Sequence, residues 1–142
     1  MQTRYATVRE GDCLQATRTF SEADVSSFAS VSHDFNPVHA DDASARAAGF
    51  DARIVHGMLY ASMFGALVAK SFPGAVYVSQ TLDFRRPVYT GDVVTAAVVA
   101  SQIGYGGRVV SFDTTCSNHH GQLVLSGTAR VMLPRTLPSR AP

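Results

Sequence analysis

Cysteine is nearly absent: Cys13 and Cys116 are the only two in 142 residues, far apart and outside any C-x-x-C spacing. That excludes a disulfide framework and a thiolate zinc cluster, and it makes a reducing cytoplasm the expected compartment. An excess of either charge is missing too, with twelve Lys and Arg against eleven Asp and Glu. No strong field exists to attract nucleic acid or an anionic membrane surface. The opening stretch MQTRYATVREGDCLQATRTF scatters Arg4, Arg9, Glu10 and Asp12 where a signal peptide needs an unbroken apolar region, which argues against export. The most apolar helical stretch, GMLYASMFGALVA at 57–69, has 13 residues, short of the roughly 20 that span a bilayer. Internal repeats and low-complexity blocks are absent as well.

What is present is enough apolar material, 46% of the residues, for one continuous core. A single domain over 1–134 is expected, with a frayed, Pro- and Ser-containing tail at 135–142. Residues 4–19 contain an extended candidate. Ser21 then caps a helix, Asp24 completes an S-x-x-D box and Phe20 can staple to Val25. Val25, Phe28, Ala29 and Ser32 follow helical spacing, and the helix should fail before Pro37. Asp41 and Asp42 start a short helix that Gly49 ends. The 57–69 stretch is uncharged and apolar nearly all round, the mark of a core helix.

Past Pro73 and Gly74 the texture changes to alternation. Val76, Val78, Leu82 and Phe84 share one parity, predicting one long strand, and turns at Gly91-Asp92, GYGG and NHHG separate three more. The expected fold class is α+β: a meander within an antiparallel sheet of about five strands, wrapped around the 57–69 helix. The remaining sheet edge is most simply protected by a second copy, so a homodimer is expected.

Asp34, Asn36 and His39 lie within six residues in HDFNPVHA. An imidazole that titrates near neutrality beside a carboxylate suits acid/base work on a shared water, without a metal or cofactor. The same spacing also suits an Asx turn before Pro37 with His39 as a surface residue, and spacing does not choose between them. In IVHGML, His56 and Gly57 stand at the start of the core helix, where backbone N–H groups and the helix dipole favour a developing oxyanion. Here too a capping or packing role is the plain alternative. Together the two segments supply what hydration of a conjugated thioester needs, an activated water and an oxyanion site.

The chain resembles the MaoC-like, R-specific enoyl-CoA hydratases of the hot-dog superfamily. Their Asp-x-Asn-Pro-aliphatic-His core is matched by FASVSHDFNPVHADDASA from Phe28 to Ala45, followed by IVHGMLYASMF, SQTLDFRRPVYTGDVV and MLP at Met132 to Pro134. The resemblance implies a hot-dog fold with a short helical overhang carrying the catalytic loop. It also implies reversible hydration of trans-2-enoyl-CoA to R-3-hydroxyacyl-CoA, with an acyl-CoA thioester as substrate. Asp34 and His39 would activate water, the Gly57 N–H would polarise the thioester carbonyl, and Asn36 and His56 would support the loop. Two positions depart from some relatives: His33 stands where Gly is frequent, and Gly65 where a hydroxyl residue helps hold the Asp. Ser62, on the same side of the helix, is the candidate substitute. Arg85 and Arg86 can meet CoA phosphates or be solvated charge, Tyr60, Met63 and Phe64 can line an acyl pocket or pack the core, and His119 and His120 read as turn residues. The competing functions are a hot-dog thioesterase and a silent acyl-CoA-binding subunit.

Overall fold

Helix α3 (Gly57–Ser71) is the element the others surround. It buries Leu59, Tyr60, Ala61, Met63, Phe64, Leu67 and Val68 against one face of a sheet whose β4 (Val93–Ile103) and β5 (Val109–Ser117) alternate buried and half-buried residues. Ala96 and Ala100 alternate with Val94 and Val98 on the inward face, and the small residues let the helix backbone approach. The computed structural model describes residues 8–135. The start of the 4–19 candidate and the tail at 136–142 lie outside the described residues. Among them, no helix is long and apolar enough to cross a membrane.

The chain begins with β1 (Cys13–Thr19), then α1 (Glu22–Ser32). Ser21 Oγ accepts from the Asp24 N–H at 3.1 Å while the Asp24 carboxylate accepts from the Ser21 N–H at 2.9 Å, the reciprocal box expected. Phe20 and Val25 both enter the core. Helix α1 stops at Ser32, well ahead of Pro37, because His33 adopts a left-handed conformation at φ 61°. Helix α2 (Asp42–Ala47) is capped by Asp41.

The sheet is antiparallel, in the order β1-β4-β5-β6-β2 with β6 at Leu123–Met132, and wraps α3 as expected. The meander expectation needs correction. Residues 76–85 form two pieces, β2 (Val76–Gln80) and β3 (Asp83–Phe84), and both pair with β6 rather than with the next strand. Only β4, β5 and β6 follow one another as neighbours, and the chain crosses from the β6 side to lay β4 beside β1. The break falls at Thr81, whose N–H donates to Thr128 O at 2.9 Å and whose Oγ1 accepts from the Thr128 N–H at 2.9 Å. A bulge between Tyr77 and Ser79 adds to the irregularity. Val76 and Val78 of β2, a sheet edge, and Phe84 of β3 are about half exposed.

Gly127 makes this break possible: a Cβ there would overlap the backbone carbonyl of Thr81. A backbone atom cannot swing aside, so Gly127→Ala should cost about 1–3 kcal/mol. A lower urea midpoint at constant slope would show it, and an unchanged midpoint would mean Thr81 does not press on this strand.

Candidate active site

The left-handed turn at His33 sends the chain sharply away from α1, and three short polar bonds organise the loop from there to Val38. Ser32 Oγ accepts from the Asp34 N–H at 3.2 Å, Asp34 Oδ1 from the Asn36 N–H at 3.2 Å, and Asn36 Oδ1 from the Val38 N–H at 3.4 Å. Asp34 and Asn36 therefore do make consecutive Asx turns. Only Oδ1 of Asp34 is spent in this way, leaving Oδ2 available. Pro37 then opens a single 3-10 turn, Pro37–His39, its fixed φ suiting the first position.

That turn delivers His39 half-buried. Its Nδ1–H donates to Ile54 O at 2.8 Å, a bond that assigns the proton to Nδ1 because a carbonyl can only accept. The Nε2 lone pair is left 3.8 Å from Asp34 Oδ2. This is too long for a direct hydrogen bond but suits one water donating a proton to each acceptor. The oxygen of such a water presents its lone pairs outward, as a nucleophile.

His56 is 1% exposed. Its Nε2–H donates to the backbone carbonyl of Asp34 at 3.0 Å, and its ring stacks on that of His39 with centroids 3.8 Å apart. Phe28 closes the other side edge-on at 4.9 Å. Thus His56 stands at the N-cap of α3 but makes no side-chain cap bond; its ring ties the 34–39 loop to the helix start instead. The buried Nδ1 has no partner among the described residues. Oxygen and nitrogen atoms of Asp34, His39 and His56 lie within 4.8 Å of one another. Yet His56 Nε2 carries a proton to the Asp34 carbonyl, so that atom is not free to ligate and the trio fits a cation poorly.

Gly57 is the first helical residue, so its N–H has no intrahelical acceptor and points along the positive end of the helix. The ring of Phe84 covers it so closely that a Cβ would meet three ring atoms within 3 Å. Asp34, Asn36, His39 and His56 line one cavity of about 440 Å³. His39, Gly57, Tyr60, Phe84, Arg85 and Arg86 line a second of about 420 Å³. The imidazole of His39 is the wall common to both.

Ser62 is not brought to this site within the chain. Its hydroxyl donates to Leu59 O inside α3 and it lines clefts on other faces of the helix. Gly65 faces Tyr77, 4.0 Å from where its Cβ would be. Burial pushes the Tyr60 hydroxyl up to about 12, so that group stays protonated. The Cys116 thiol is likewise pushed up to about 12 by burial and is no nucleophile. Met63 and Phe64 are core residues. His119 accepts from the Val93 N–H at 3.4 Å, a turn role as expected. Arg53 is a residue that sequence reasoning misses: it bridges Glu22 at 2.8 Å and Asp42 at 3.3 Å, fastening α1 to α2 beside the first cavity. No sequence pattern announces it, since its partners come from elements 31 and 11 residues away.

Residues 6–126 match the family described as the MaoC like domain. The chain is 48% identical over 130 residues to a mitochondrial 3-hydroxyacyl-acyl-carrier-protein dehydratase of Arabidopsis thaliana, covering 89% of this chain and 78% of that one. It is 40% identical over 129 residues to an (R)-specific enoyl-CoA hydratase of Rhodospirillum rubrum, covering 89% of each. Among solved structures, the (R)-hydratase of Aeromonas caviae superposes with a TM-score of 0.86 at 36% identity, over 92% of this chain and all of that one. The chain therefore belongs to the MaoC-like domain family, with the hot-dog fold, and is a lyase of the hydratase/dehydratase type.

Proposed function

We propose that the protein reversibly hydrates trans-2-enoyl thioesters to R-3-hydroxyacyl thioesters, with Asp34 and His39 activating the water and the Gly57 N–H stabilising the thioester oxygen. The observation that carries this reading is the pair of acceptors, His39 Nε2 and Asp34 Oδ2, 3.8 Å apart, where His39 joins the cavity lined by Asp34 to the one lined by Gly57 at the helix start. In the hydration direction water attacks the β-carbon and gives up a proton to the pair. Negative charge collects on the thioester oxygen against Gly57, and the α-carbon then takes a proton from the same pair. Dehydration retraces the path. His56 and Asn36 support the loop through its backbone and touch no reacting atom.

The named relatives act on acyl-CoA or acyl-carrier-protein thioesters, and either carrier is compatible with this chemistry. The edge strand β2 exposes Val76 and Val78 beside Phe84, which supports a homodimer in which a second copy covers that edge. Sedimentation at micromolar concentration should give twice the chain mass. The free thiols Cys13 and Cys116 suit a reducing cytoplasm.

Purified protein should consume the conjugated absorbance of crotonyl-CoA and yield the R-3-hydroxy product on chiral analysis. Release of free CoA thiol with the double bond intact would identify a thioesterase instead, and saturable binding with neither reaction would identify a silent subunit.

A further inference from the structure

Only one of the two cavities that meet at His39 is free of acid. The first holds Glu22 and Asp34, whereas the second combines an apolar wall with Arg85 and Arg86 and no carboxylate. The two guanidinium groups are not equivalent. Arg85 is taken up by Asp83 at 3.0 Å and by Ser126 Oγ at 2.9 Å. The Arg86 side chain is exposed and makes no ion pair or hydrogen bond among the described residues. An unpaired guanidinium at the rim of an apolar cavity that ends on an oxyanion donor suits a ligand with an anionic head and a thioester tail.

Building on the hydratase reading, we infer that Arg86, supported by Arg85, anchors the phosphate of the 4′-phosphopantetheine arm shared by CoA and acyl-carrier protein. The arm has a backbone length of between about four and five residues and spans roughly 16 Å when extended. Gly57 and Arg86 line the same cavity, so an arm with its thioester at Gly57 can lead its phosphate towards the long Arg86 side chain. Guanidinium matches phosphate in a bidentate fork. Arg85 is paired with Asp83, so that carboxylate is neutralised and does not oppose the incoming anion. This assignment also orients the substrate, with its carrier leaving through the second cavity.

The test compares trans-2-butenoyl thioesters of 4′-phosphopantetheine and of plain pantetheine on wild type, Arg86→Ala and Arg86→Lys. Wild type should favour the phosphorylated substrate by on the order of 10-fold in kcat/KM, carried by KM. That ratio should fall towards one in Arg86→Ala and be largely kept in Arg86→Lys. A ratio that Arg86→Ala leaves intact overturns the assignment. The same acyl group on a holo acyl-carrier protein should lose as much as the phosphopantetheine thioester does, and a loss confined to the carrier protein would mean a contact with its surface and also overturn it. If wild type turns over none of them, the hydratase reading fails by itself. Calorimetric titration with free 4′-phosphopantetheine and pantetheine then still decides: tighter binding of the phosphorylated form, lost in Arg86→Ala, supports the anchor, and equal binding refutes it.

Discussion

Asp34→Asn should lower kcat/KM for crotonyl-CoA hydration by on the order of 10²-fold or more, and His39→Gln by a similar amount. Asparagine keeps the oxygen that accepts from the Asn36 N–H at 3.2 Å, so the turn survives. It replaces Oδ2 with an NH₂ that can only donate, and a water facing a donor there cannot surrender its proton. Because Asp34 is exposed, neither desolvation nor a lost core contact confuses the result, and the urea midpoint should stay near that of wild type. The double variant should be little worse than either single one, since both groups hold one water and removing either disables the pair. Near-wild-type rates in both single variants would sink the mechanism.

Gly57→Ala should cost on the order of 10²- to 10³-fold in kcat/KM. The methyl group displaces the ring of Phe84, and that ring borders the cavity from which the thioester oxygen would approach the N–H. The loss has a steric origin that can be relieved: Phe84→Ala in the Gly57→Ala background removes the collision and should recover part of the rate. If Gly57→Ala alone is fully active, the oxyanion assignment is wrong. If the second substitution recovers nothing, the methyl group acts on the helix start itself.

Local signals in the sequence suffice for much of this architecture. The Ser21–Asp24 box, the Asp41 cap and the apolar run of α3 depend on neighbours three or four residues away, and each appears where its pattern puts it. Proximity of Asp34, Asn36 and His39 is legible for the same reason. The division of Asp34 into one structural and one available oxygen is not, because it depends on how the chain turns at His33, and nothing in the spacing announces a left-handed histidine. The split of β2 from β3 escapes because alternation reports which residues share a face but not which strand lies beside them, and the deciding residue, Gly127, is over forty positions away. Ser62 fails to reach Asp34 because sharing a helix side does not fix where a hydroxyl finds its acceptor.

The 34–39 loop is fastened to the segment before α3 at three backbone points: Asp34 O receives the His56 Nε2–H, Ile54 O receives the His39 Nδ1–H, and Val38 O receives the Ile54 N–H. These bonds use two imidazoles and main-chain atoms alone. The side chains of Val25 and Ala29 in the first cavity and Met58 in the second take no part in them. Reacting groups and these walls are thus separable inheritances. Substitutions at Val25, Ala29 or Met58 should reshape what the cavities accept while the bonds that set His39 and Asp34 beside the start of α3 stay in place, so a lineage built on this chain can change its substrates without rebuilding that arrangement.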